Sequence, residues 1–366
     1  MKFRITKENF LSGLQQVQHV VSTRTTLPIL SNVLLELKGD QLHLTTNDLD
    51  VGVRARVSVE EVGSEGATTL PARRLVNIVK ELPARDILVE VDADNVASIT
   101  CGPSFFKILG LTNEEFPALP NFEKAKEFKF PQVDLKDSLK KTSYAISTDE
   151  TRYVLNGVYF SFTNNTLILV ATDGRRLAMV DHELEFPKSN ETNVIVPTKA
   201  VNELQRLLGE GEEVSITIAE NQIAFKLDKL LLVSRLIEGN YPNYRQVIPE
   251  KTVDRITLER ETFLQTVHRV SLLTSEKSHS IKLVFGEDRI DIMANSPEIG
   301  EARESMDVQY KGNEFAIAFN PEFLMAPLRN LDTDEVFLHL IDEMSPGVLK
   351  INSSFLYVLM PMRVTQ

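Results

Sequence analysis

The most constraining feature of the sequence is an internal repeat, in which four landmarks recur in the same order with a period of about 125 residues. The first landmark is a helical pattern with apolar residues at positions i, i+4, i+7 and i+11, which form one face of a helix. In the first copy these residues are Phe10, Leu14, Val17 and Val21. The later copies carry Leu135, Leu139, Thr142 and Ile146, and then Phe263, Val267 and Val270. Three such units predict repeated domains and not a single core.

The other landmarks are a strand with a polar turn, a second helix that opens at a proline, and a closing strand. The strand and turn read LHLTTND, LILVATDG and IDIMANSP. The second helices open near Pro71, Pro197 and Pro321, where the missing N–H costs a first helical turn nothing. The closing strands read FFKILGL, LLLVSRLIEG and FLYVLMPM. Each unit therefore holds two helices among many short strands, which predicts an α+β fold with helices packed on antiparallel sheets.

Two proline- and charge-rich stretches separate the three units. PALPNFEKAKEF lies between the first and the second, and VIPEKTVDR lies between the second and the third. Stretches of this composition are typical of domain boundaries. We therefore predict three domains, at residues 1–123, 128–250 and 253–366.

The composition predicts a cytoplasmic globular protein. Apolar residues make up 42% of the chain and charged residues 25%, as in ordinary soluble domains. No run approaches the ~18 apolar residues of a spanning helix, and MKFRITKENF lacks the apolar core of a signal peptide. Cys101 is the only cysteine, so an internal disulfide is excluded and we expect a small buried apolar residue there.

The distribution of charge points to a polyanionic partner despite a formal net charge of −12. A helical projection of the second helix places Arg73 and Lys80 opposite the apolar residues Leu75, Ile78 and Leu82. The second copy repeats this geometry, with Lys199 and Arg206 opposite Val201, Leu204 and Leu208. The outward positions of the first helices carry no acid and are Gln15, Gln16, Lys140, Lys141, His268 and Arg269.

Two interpretations of these basic faces stay open. Lysine and arginine on one solvated helix face are ordinary. Their repetition at equivalent positions instead favours a continuous cationic lining, if the units are arranged cyclically. Such a lining would bind DNA phosphates without reading the bases and with strong salt dependence. The third copy is weaker, because it offers Arg329 but carries Phe323 where Arg73 and Lys199 stand.

Six short segments, taken in order, give the chain a family resemblance over essentially its whole length. They are TLPIL, PARR, RYVLNG, ATDGRRLA, YPNYRQVIP and VLMPMR. With them the chain resembles the bacterial DNA polymerase III β sliding clamp family. The resemblance implies three repeated DNA-clamp domains that form half of a ring, and a head-to-tail homodimer that encircles double-stranded DNA without sequence specificity and has no catalytic activity of its own.

The resemblance also implies partners and functional residues. Expected partners are DNA polymerase III and other polymerases, an ATP-driven clamp loader, and repair proteins with clamp-binding peptides; no cofactor, metal or membrane is expected. Candidate DNA contacts are Arg24, Arg73, Arg74, Lys80, Lys140, Lys141, Tyr153, Lys199 and Arg206. The dimer interface should place the last strand of the first domain, with Phe106 and Ile108, against the first helix of the third, with Leu272 and Leu273. These four could also be plain core residues.

By the same resemblance, a groove between the second and third domains should accept short peptides. Its candidate residues are Arg152, Leu155, Thr172, Gly174, Arg175, Arg176, Leu177, Pro242, Val247, Asn320, Phe323, Met344, Pro346, Val358, Met360, Pro361 and Met362. Leucine, valine, proline and methionine form deformable apolar clefts for aromatic or aliphatic anchors.

Three positions depart from residues that are common in the family. Arg175 stands where some relatives carry histidine, Phe323 where tyrosine is common, and Val154 where a second aromatic residue could follow Tyr153. The first two departures bear on peptide preference. The third bears on a paired aromatic contact with DNA.

A DNA-directed enzyme and a protein-only scaffold are the alternative functions. The sequence contains no Walker A loop, GxGxxG, GxSxG or HExxH motif, and its six histidines lack metal-ligand spacing. Asp149, Glu150 and Asp173 could be the carboxylates of a metal-dependent nuclease or phosphatase, but aspartates in such loops typically cap turns. A pure scaffold would tolerate charge reversal on the basic helix faces.

Overall fold

The computed structural model describes residues 1–21, 27–120, 122, 125–249, 254–275 and 279–362. Internal packing divides the chain into two compact units, Met1–Lys136 with Lys199–Leu236 and Asp137–Thr198 with Ile237–Gln366. The two units therefore divide the second repeat, and the three domain boundaries given above stay a prediction. Within the described ranges, no helix has both the length and the apolar character that crossing a membrane requires.

Six α-helices occur in the described residues, two in each repeat, as predicted. They are α1 (Lys7–Val17), α2 (Ala72–Glu81), α3 (Gln132–Thr142), α4 (Thr198–Leu207), α5 (Arg260–Ser271) and α6 (Pro321–Asn330).

The same residues contain 25 β-strands. The first nine are β1 (Lys2–Thr6), β2 (Asn32–Lys38), β3 (Gln41–Asn47), β4 (Val51–Ser58), β5 (Glu61–Ser64), β6 (Gly66–Pro71), β7 (Asp86–Val91), β8 (Val96–Cys101) and β9 (Ser104–Leu109). The next eight are β10 (Lys126–Pro131), β11 (Gly157–Thr163), β12 (Thr166–Thr172), β13 (Arg176–Glu183), β14 (Thr192–Pro197), β15 (Glu213–Ile218), β16 (Gln222–Leu227) and β17 (Leu230–Arg235). The last eight are β18 (Asp254–Glu259), β19 (Ile281–Gly286), β20 (Arg289–Ser296), β21 (Gly300–Asp307), β22 (Phe315–Phe319), β23 (Glu335–Leu340), β24 (Gly347–Lys350) and β25 (Leu356–Leu359).

Each unit contains two antiparallel sheets. The first unit has a five-stranded sheet, β5-β1-β7-β8-β9, and an eight-stranded sheet, β10-β15-β16-β17-β4-β3-β2-β6. The second unit has an eight-stranded sheet, β14-β11-β12-β13-β25-β24-β23-β18, and a four-stranded sheet, β21-β20-β19-β22. The predicted α+β class with antiparallel sheets is confirmed.

Both eight-stranded sheets consist of two four-stranded halves joined by one pair of strands. In the first unit β17 pairs with β4, so that Ser234 faces Val51. In the second unit β25 pairs with β13, so that Leu359 faces Arg176. In both cases the closing strand of one repeat pairs with the fourth strand of the preceding repeat. The repeat seen in the sequence is therefore also a repeat of strand pairing.

The first helix of each repeat buries the apolar face that its spacing predicts. On α1, Phe10, Leu14 and Val17 are each at most 1% exposed. The helix begins at the cap Thr6, whose Oγ1 accepts a hydrogen bond from the Asn9 N–H at 3.2 Å. On α3 and α5 the matching residues Leu135, Leu139, Thr142, Phe263, Val267 and Val270 are also buried. A period of 3.6 residues thus predicted which side of each helix packs on a sheet.

The buried face of α2 differs in part from the prediction. Leu75 and Leu82 are buried as expected, but Ile78 is only half-buried, while Val76 and Val79 are buried as well. The buried stripe is therefore rotated away from Ile78, because a projection gives the apolar centre of a helix but not the angle at which it meets its sheet. Cys101 is buried, as predicted.

A carboxylate network holds two strands of the four-stranded sheet together. Asp291 on β20 is 5% exposed. Its Oδ2 accepts hydrogen bonds from Arg303 Nη2 at 2.7 Å and Arg289 Nη2 at 3.0 Å, and its Oδ1 accepts one from Ser305 Oγ at 2.5 Å. The Ser305 hydrogen bond and the two guanidinium groups lower the pKa of this carboxyl below its usual value. Folding therefore favours the ionised form.

We expect Asp291→Asn to lower the Tm at pH 7 by several degrees, because it removes this charge and leaves two guanidinium groups without their partner. The contribution of Asp291 is complete above the unfolded-state pKa of about 3.9 and is lost as the pH falls through the lower folded-state pKa. Thermal unfolding at a series of pH values should show the Tm difference from the wild type shrinking below about pH 4. Asp307→Asn, at an exposed position on β21, is the control. A Tm difference that is the same at pH 7 and pH 3 would contradict the role of the charge.

Candidate functional site

The turn between β12 and β13 gathers several of the predicted groove residues. Asp173 Oδ1 accepts hydrogen bonds from the backbone N–H groups of Arg175 at 2.8 Å and Arg176 at 3.1 Å. Thr172 Oγ1 donates to the Arg176 carbonyl at 2.6 Å and accepts from the Gly174 N–H at 3.1 Å. Gly174 has a positive φ of 84°, which glycine adopts without strain. Asp173 therefore caps a turn, as the sequence predicted, and fixes the start of β13.

The closing strand β25 lies beside this turn. Leu177 faces Val358 across the β13–β25 pair. Beyond the end of β25, the Met360 N–H donates to the Arg175 carbonyl at 3.0 Å and the Met362 N–H donates to the Ala318 carbonyl at 2.7 Å. The C-terminal segment is thus tied to the turn by backbone hydrogen bonds. These bonds place Met360 beside Arg175 and Met362 beside β22.

Arg176 connects the turn to α6. Its guanidinium carbon lies 4.5 Å from the centroid of the Phe323 ring, a cation–π geometry. Its Nε also donates to Asp173 Oδ2 at 3.0 Å. Asn320 caps α6 through its Oδ1, which accepts from the Glu322 N–H at 2.9 Å and the Phe323 N–H at 3.4 Å. Phe323 is therefore held in place from two sides.

Arg152 lies on the other side of the turn. A Cβ atom placed on Gly174 would lie 2.8 Å from Arg152 Nη1, so the two residues are in close contact. Arg152 Nε donates to Asp149 Oδ2 at 2.9 Å. Asp149 also accepts from the Thr151 N–H and hydroxyl, and these hydrogen bonds lower its pKa. Asp149 therefore caps a short 3₁₀ helix, Glu150–Leu155.

The remaining groove candidates divide by burial. Leu155, Leu177 and Val358 are 7%, 2% and 1% exposed, so they are core residues beneath the candidate groove surface. Val247, Met344 and Met360 are 44%, 69% and 41% exposed and can contact a ligand. Pro346, Pro361 and Met362 are half-buried, and Pro242 is exposed.

Sequence reasoning missed the tyrosines that support this surface. The Tyr357 hydroxyl donates to the Phe323 carbonyl at 2.7 Å, and its ring lies 5.9 Å from that of Tyr144. Burial raises the pKa of Tyr144 and Tyr357 well above the usual tyrosine value, so both stay neutral. Tyr159 and Tyr241 stack with ring centroids 4.7 Å apart. Alternation along LYVL could have indicated Tyr357, but nothing local pairs Tyr159 with Tyr241.

The candidate DNA contacts on α2 are exposed and free of ion pairs. Arg73, Arg74 and Lys80 are all exposed, and no carboxylate in the described part of the chain lies within 4.0 Å of any of them. Their charge is available to an anionic partner. Tyr153 is 57% exposed. Arg24 lies outside the described residues.

The other basic candidates already have acidic partners within the chain. Lys199 forms an ion pair with Asp48, and Arg206 pairs with Glu203 at 2.8 Å while also donating to the Gln16 carbonyl at 2.5 Å. Lys140 pairs with Asp332 at 2.7 Å, and Lys141 pairs with Asp137 at 2.5 Å. The repeated basic positions therefore differ in whether an acid of the same chain offsets their charge. The free charge of the set is concentrated on α2.

The candidates for the dimer interface also differ in exposure. Phe106 is 38% exposed and Leu272 is 68% exposed, whereas Leu273 is half-buried. Ile108 is only 8% exposed, because alternate residues of β9 face its own core. Phe105 and Leu109, which the sequence did not single out, are 62% and 73% exposed. The exposed apolar surface of β9 is therefore formed largely by Phe105 and Leu109, on the opposite face of the strand from Ile108.

The described residues contain no cluster of metal-ligating side chains. No group of three or more histidine, cysteine or acidic side chains comes close enough to hold a metal ion there. His182 Nε2 instead lies 2.8 Å from the Ser138 hydroxyl, in a hydrogen bond between two side chains.

Three family models match successive parts of the chain. They describe the N-terminal, central and C-terminal domains of the DNA polymerase III beta subunit and match residues 1–120, 129–243 and 245–363. Together they account for nearly the whole sequence in the order that the repeat requires.

Relatives and solved structures agree with these matches over full length. The beta sliding clamp of Proteus mirabilis is 36% identical, with 100% of both chains covered, and that of Chlamydia pneumoniae is 35% identical, with 100% of this chain and 99% of the relative covered. A crystal structure of the Pseudomonas aeruginosa sliding clamp bound to griselimycin has a TM-score of 0.96 at 35% identity, and one from Bacillus subtilis has 0.94 at 32%, each with 100% of both chains covered. The chain therefore belongs to the DNA polymerase III beta subunit family, whose members are the beta sliding clamps.

Proposed function

We propose that two copies of this chain close head to tail into a ring around double-stranded DNA, which tethers DNA polymerase III during replication in the cytoplasm. The observation that carries this proposal is the repeated pairing of strand edges. The closing strand of the second repeat pairs with the first repeat, and that of the third repeat pairs with the second. The closing strand of the first repeat, β9, and the fourth strand of the last repeat, β21, remain at sheet edges. A second copy would supply the missing partner for each.

The repeat also supplies a register for this closure. Val233 faces Gly52 in the first unit, and Val358 faces Leu177 in the second. Equivalent positions on the two open edges are Lys107 on β9 and Glu301 on β21, and both are exposed. Opposite charges that face each other across antiparallel strands stabilise a sheet. The open edges are therefore complementary in charge.

The apolar residues of β9 support the same closure. Phe106 is equivalent to Leu232 and Tyr357, which are 0% and 1% exposed in the joined sheets. In the single chain Phe106 is 38% exposed and its neighbour Phe105 is 62% exposed. Pairing with a second copy would bury this apolar edge, which would otherwise favour aggregation. Exposed Leu272, at the end of α5, is a further candidate for the interface.

In such a ring DNA would be held by topology, with weak contacts to phosphates. The unpaired cations Arg73, Arg74 and Lys80 on α2 are suited to those contacts, because free cations release counterions from DNA when they bind. A clamp that slides needs contacts that are individually weak and independent of sequence.

The surface around Arg176 and Phe323 is proposed as the docking site for peptides of the polymerase, the clamp loader and repair proteins. Exposed Met344 and Met360 offer adaptable apolar contacts, and the exposed Arg175 side chain offers positive charge beside them. Griselimycin, which is bound in clamp structures from Pseudomonas aeruginosa and Bartonella birtlesii, is proposed to bind the same surface here.

Charge reversal at the open edge tests ring closure. We expect Lys107→Glu to raise the dimer Kd by about tenfold or more, because Glu301 of the second copy would then face a like charge. The double variant Lys107→Glu with Glu301→Lys should restore dimerisation, since each edge again meets its opposite. Sedimentation equilibrium measures the mass, and Lys311→Glu, at an exposed position outside both edges, is the control.

The same variants test the topological link to DNA. Wild type and double variant, loaded onto nicked circular DNA by a clamp loader, should stay bound at high salt and be released when the circle is cut open. Lys107→Glu should not be retained. Retention on linear DNA with open ends would contradict encirclement, and a double variant that stays monomeric would contradict the register.

The difference between free and paired cations gives a second prediction. Replacing Arg73 and Lys80 by glutamine should weaken binding to a short duplex and reduce the slope of log K against log salt by about 0.9 for each phosphate that is no longer neutralised. Replacing Lys140 and Lys199, whose charges are already offset by Asp332 and Asp48, should have a smaller effect. Fluorescence anisotropy over a salt series measures both. Equal effects of the two double variants would contradict the assignment to α2.

The exposed methionines give a third prediction. Met344→Ser with Met360→Ser should weaken griselimycin binding by about tenfold, because two exposed side chains would then offer the ligand a polar hydroxyl in place of an apolar thioether. Ile299→Ser, at a residue that is 53% exposed and outside this surface, is the matched control. Calorimetric titration measures both affinities. Unchanged affinity of the methionine variant would show that the ligand binds elsewhere.

A further inference from the structure

The first unit contains a second, separate basic feature, a cavity of about 220 Å³ that crosses β3, β4 and the β16–β17 turn. Its walls carry five basic residues, one acid and two leucines: His43, Arg54, Arg56, Lys226, Lys229, Asp228, Leu230 and Leu231. A Cβ atom on Gly13 of α1 would touch Leu44 and Val57, so these two residues face the helix. His43 and Arg56 are their sequence neighbours and face each other across β3 and β4. The cavity therefore lies on the side of the sheet away from α1.

Four cations and one carboxylate, that of Asp228, line the cavity, so the charge of its lining is positive. In the described part of the protein, no carboxylate lies within 4.0 Å of the side-chain nitrogens of Arg54, Arg56, Lys226 or Lys229. Arg54 Nε donates to Thr45 Oγ1 at 3.1 Å, and Arg56 Nη2 donates to the Asp228 carbonyl at 2.8 Å. These hydrogen bonds orient the guanidinium groups without cancelling their charge. Like charges that share one cavity repel each other unless an anion lies between them.

The third repeat shows how the same chain neutralises this position. In the first repeat, His43 of β3 faces Arg56 of β4. Thr45, two residues further along β3, faces Arg54. In the third repeat, Asp291 of β20 faces Ser305 of β21. Met293, two residues further along β20, faces Arg303. Asp291 thus occupies the place of His43, and Arg303 the place of Arg54. The carboxylate of Asp291 binds Arg303 at 2.7 Å, whereas the first repeat has an imidazole and no acid at this position.

We propose that the cavity around His43, Arg54, Arg56, Lys226 and Lys229 binds a phosphate group. Two guanidinium groups offer planar pairs of N–H donors that match phosphate oxygens, and the two lysines add point charges. A volume of about 220 Å³ holds a phosphate and several waters, since one water takes about 30 Å³, but it excludes a duplex.

His43 adds a donor without adding charge. Its burial and the neighbouring Arg54 lower its pKa below the usual histidine value, so the imidazole is neutral at pH 7. Glu36 faces His43 across β2 and β3 and acts in the opposite direction, but it is paired with Lys38 at 3.2 Å. The phosphate can belong to a free compound or to a single nucleic-acid strand, and both sources share this chemistry.

The test uses His43→Asp, which gives the first repeat the aspartate that the third repeat carries at the equivalent position. The whole protein is titrated with inorganic pyrophosphate and, in the background Arg73→Gln with Lys80→Gln, with a six-residue oligothymidylate. Calorimetry should show one site per chain, with affinity reduced about tenfold or more by His43→Asp and by Lys229→Gln. Lys311→Gln removes one exposed charge outside the cavity and should leave binding unchanged.

The two probes distinguish the possible sources of the phosphate group. Stronger binding of pyrophosphate identifies a free phosphate compound, and stronger binding of the oligonucleotide identifies a nucleic-acid strand; both support the proposal. Binding that His43→Asp and Lys229→Gln do not change would overturn it, as would no binding of either probe. Hexaglutamate that binds as tightly as pyrophosphate, with the same sensitivity to His43→Asp, would show a carboxylate site and overturn the assignment to phosphate. Unchanged thermal unfolding of His43→Asp confirms that the variant folds.

Discussion

The structure depends on the requirement that the edge of a β-sheet find a partner. An unpaired edge strand exposes a row of backbone N–H and C=O groups that will pair with any available strand. This chain meets the requirement twice by joining four-stranded halves of successive repeats into eight-stranded sheets, through β17 with β4 and β25 with β13. The same rule links each closing strand to the repeat before it, and β9, the closing strand of the first repeat, is left at the edge of its sheet. In the proposed ring a second copy would supply its partner strand.

The pairing of charged side chains follows a different rule from the pairing of strands. Many of the cations on the described helices and strands are paired with acids of the same chain, as Lys140 is with Asp332 and Arg206 with Glu203. Such pairs contribute little net stability at an exposed surface. Their effect is to remove charge that would otherwise attract phosphates. Among the cations without an ion pair in the described part of the chain, those on α2 and around His43 form clusters, although a chain with a net charge of −12 has many acids that could have neutralised them.

Periodic features of the fold could be predicted from the sequence, and long-range features could not. The spacing of Phe10, Leu14 and Val17 fixes a helix face, because burial repeats every 3.6 residues whatever the rest of the chain does. The pairing of Lys199 with Asp48 joins residues far apart in the sequence, and no local pattern marks it. For the same reason the groove residues came from a family resemblance, whereas the contact of Arg176 with Phe323 needed coordinates. The burial of Val76 in place of Ile78 depended on how α2 meets its sheet.

The three repeats have kept their strand pairing and changed what lies on the sheet face. At the position of His43 the second repeat has Ile168, which packs with Tyr241 against an apolar cluster that includes Val170. The third repeat has Asp291, which binds two arginines. One backbone position therefore supports an apolar contact, an ion network and a cationic cavity in a single chain. Hydrogen bonds between strands do not depend on side-chain identity, so duplication preserves the sheet while each copy is free to acquire a different surface chemistry. Differences between the copies of a repeated fold are for that reason a guide to function, in the same way that their similarities are a guide to structure.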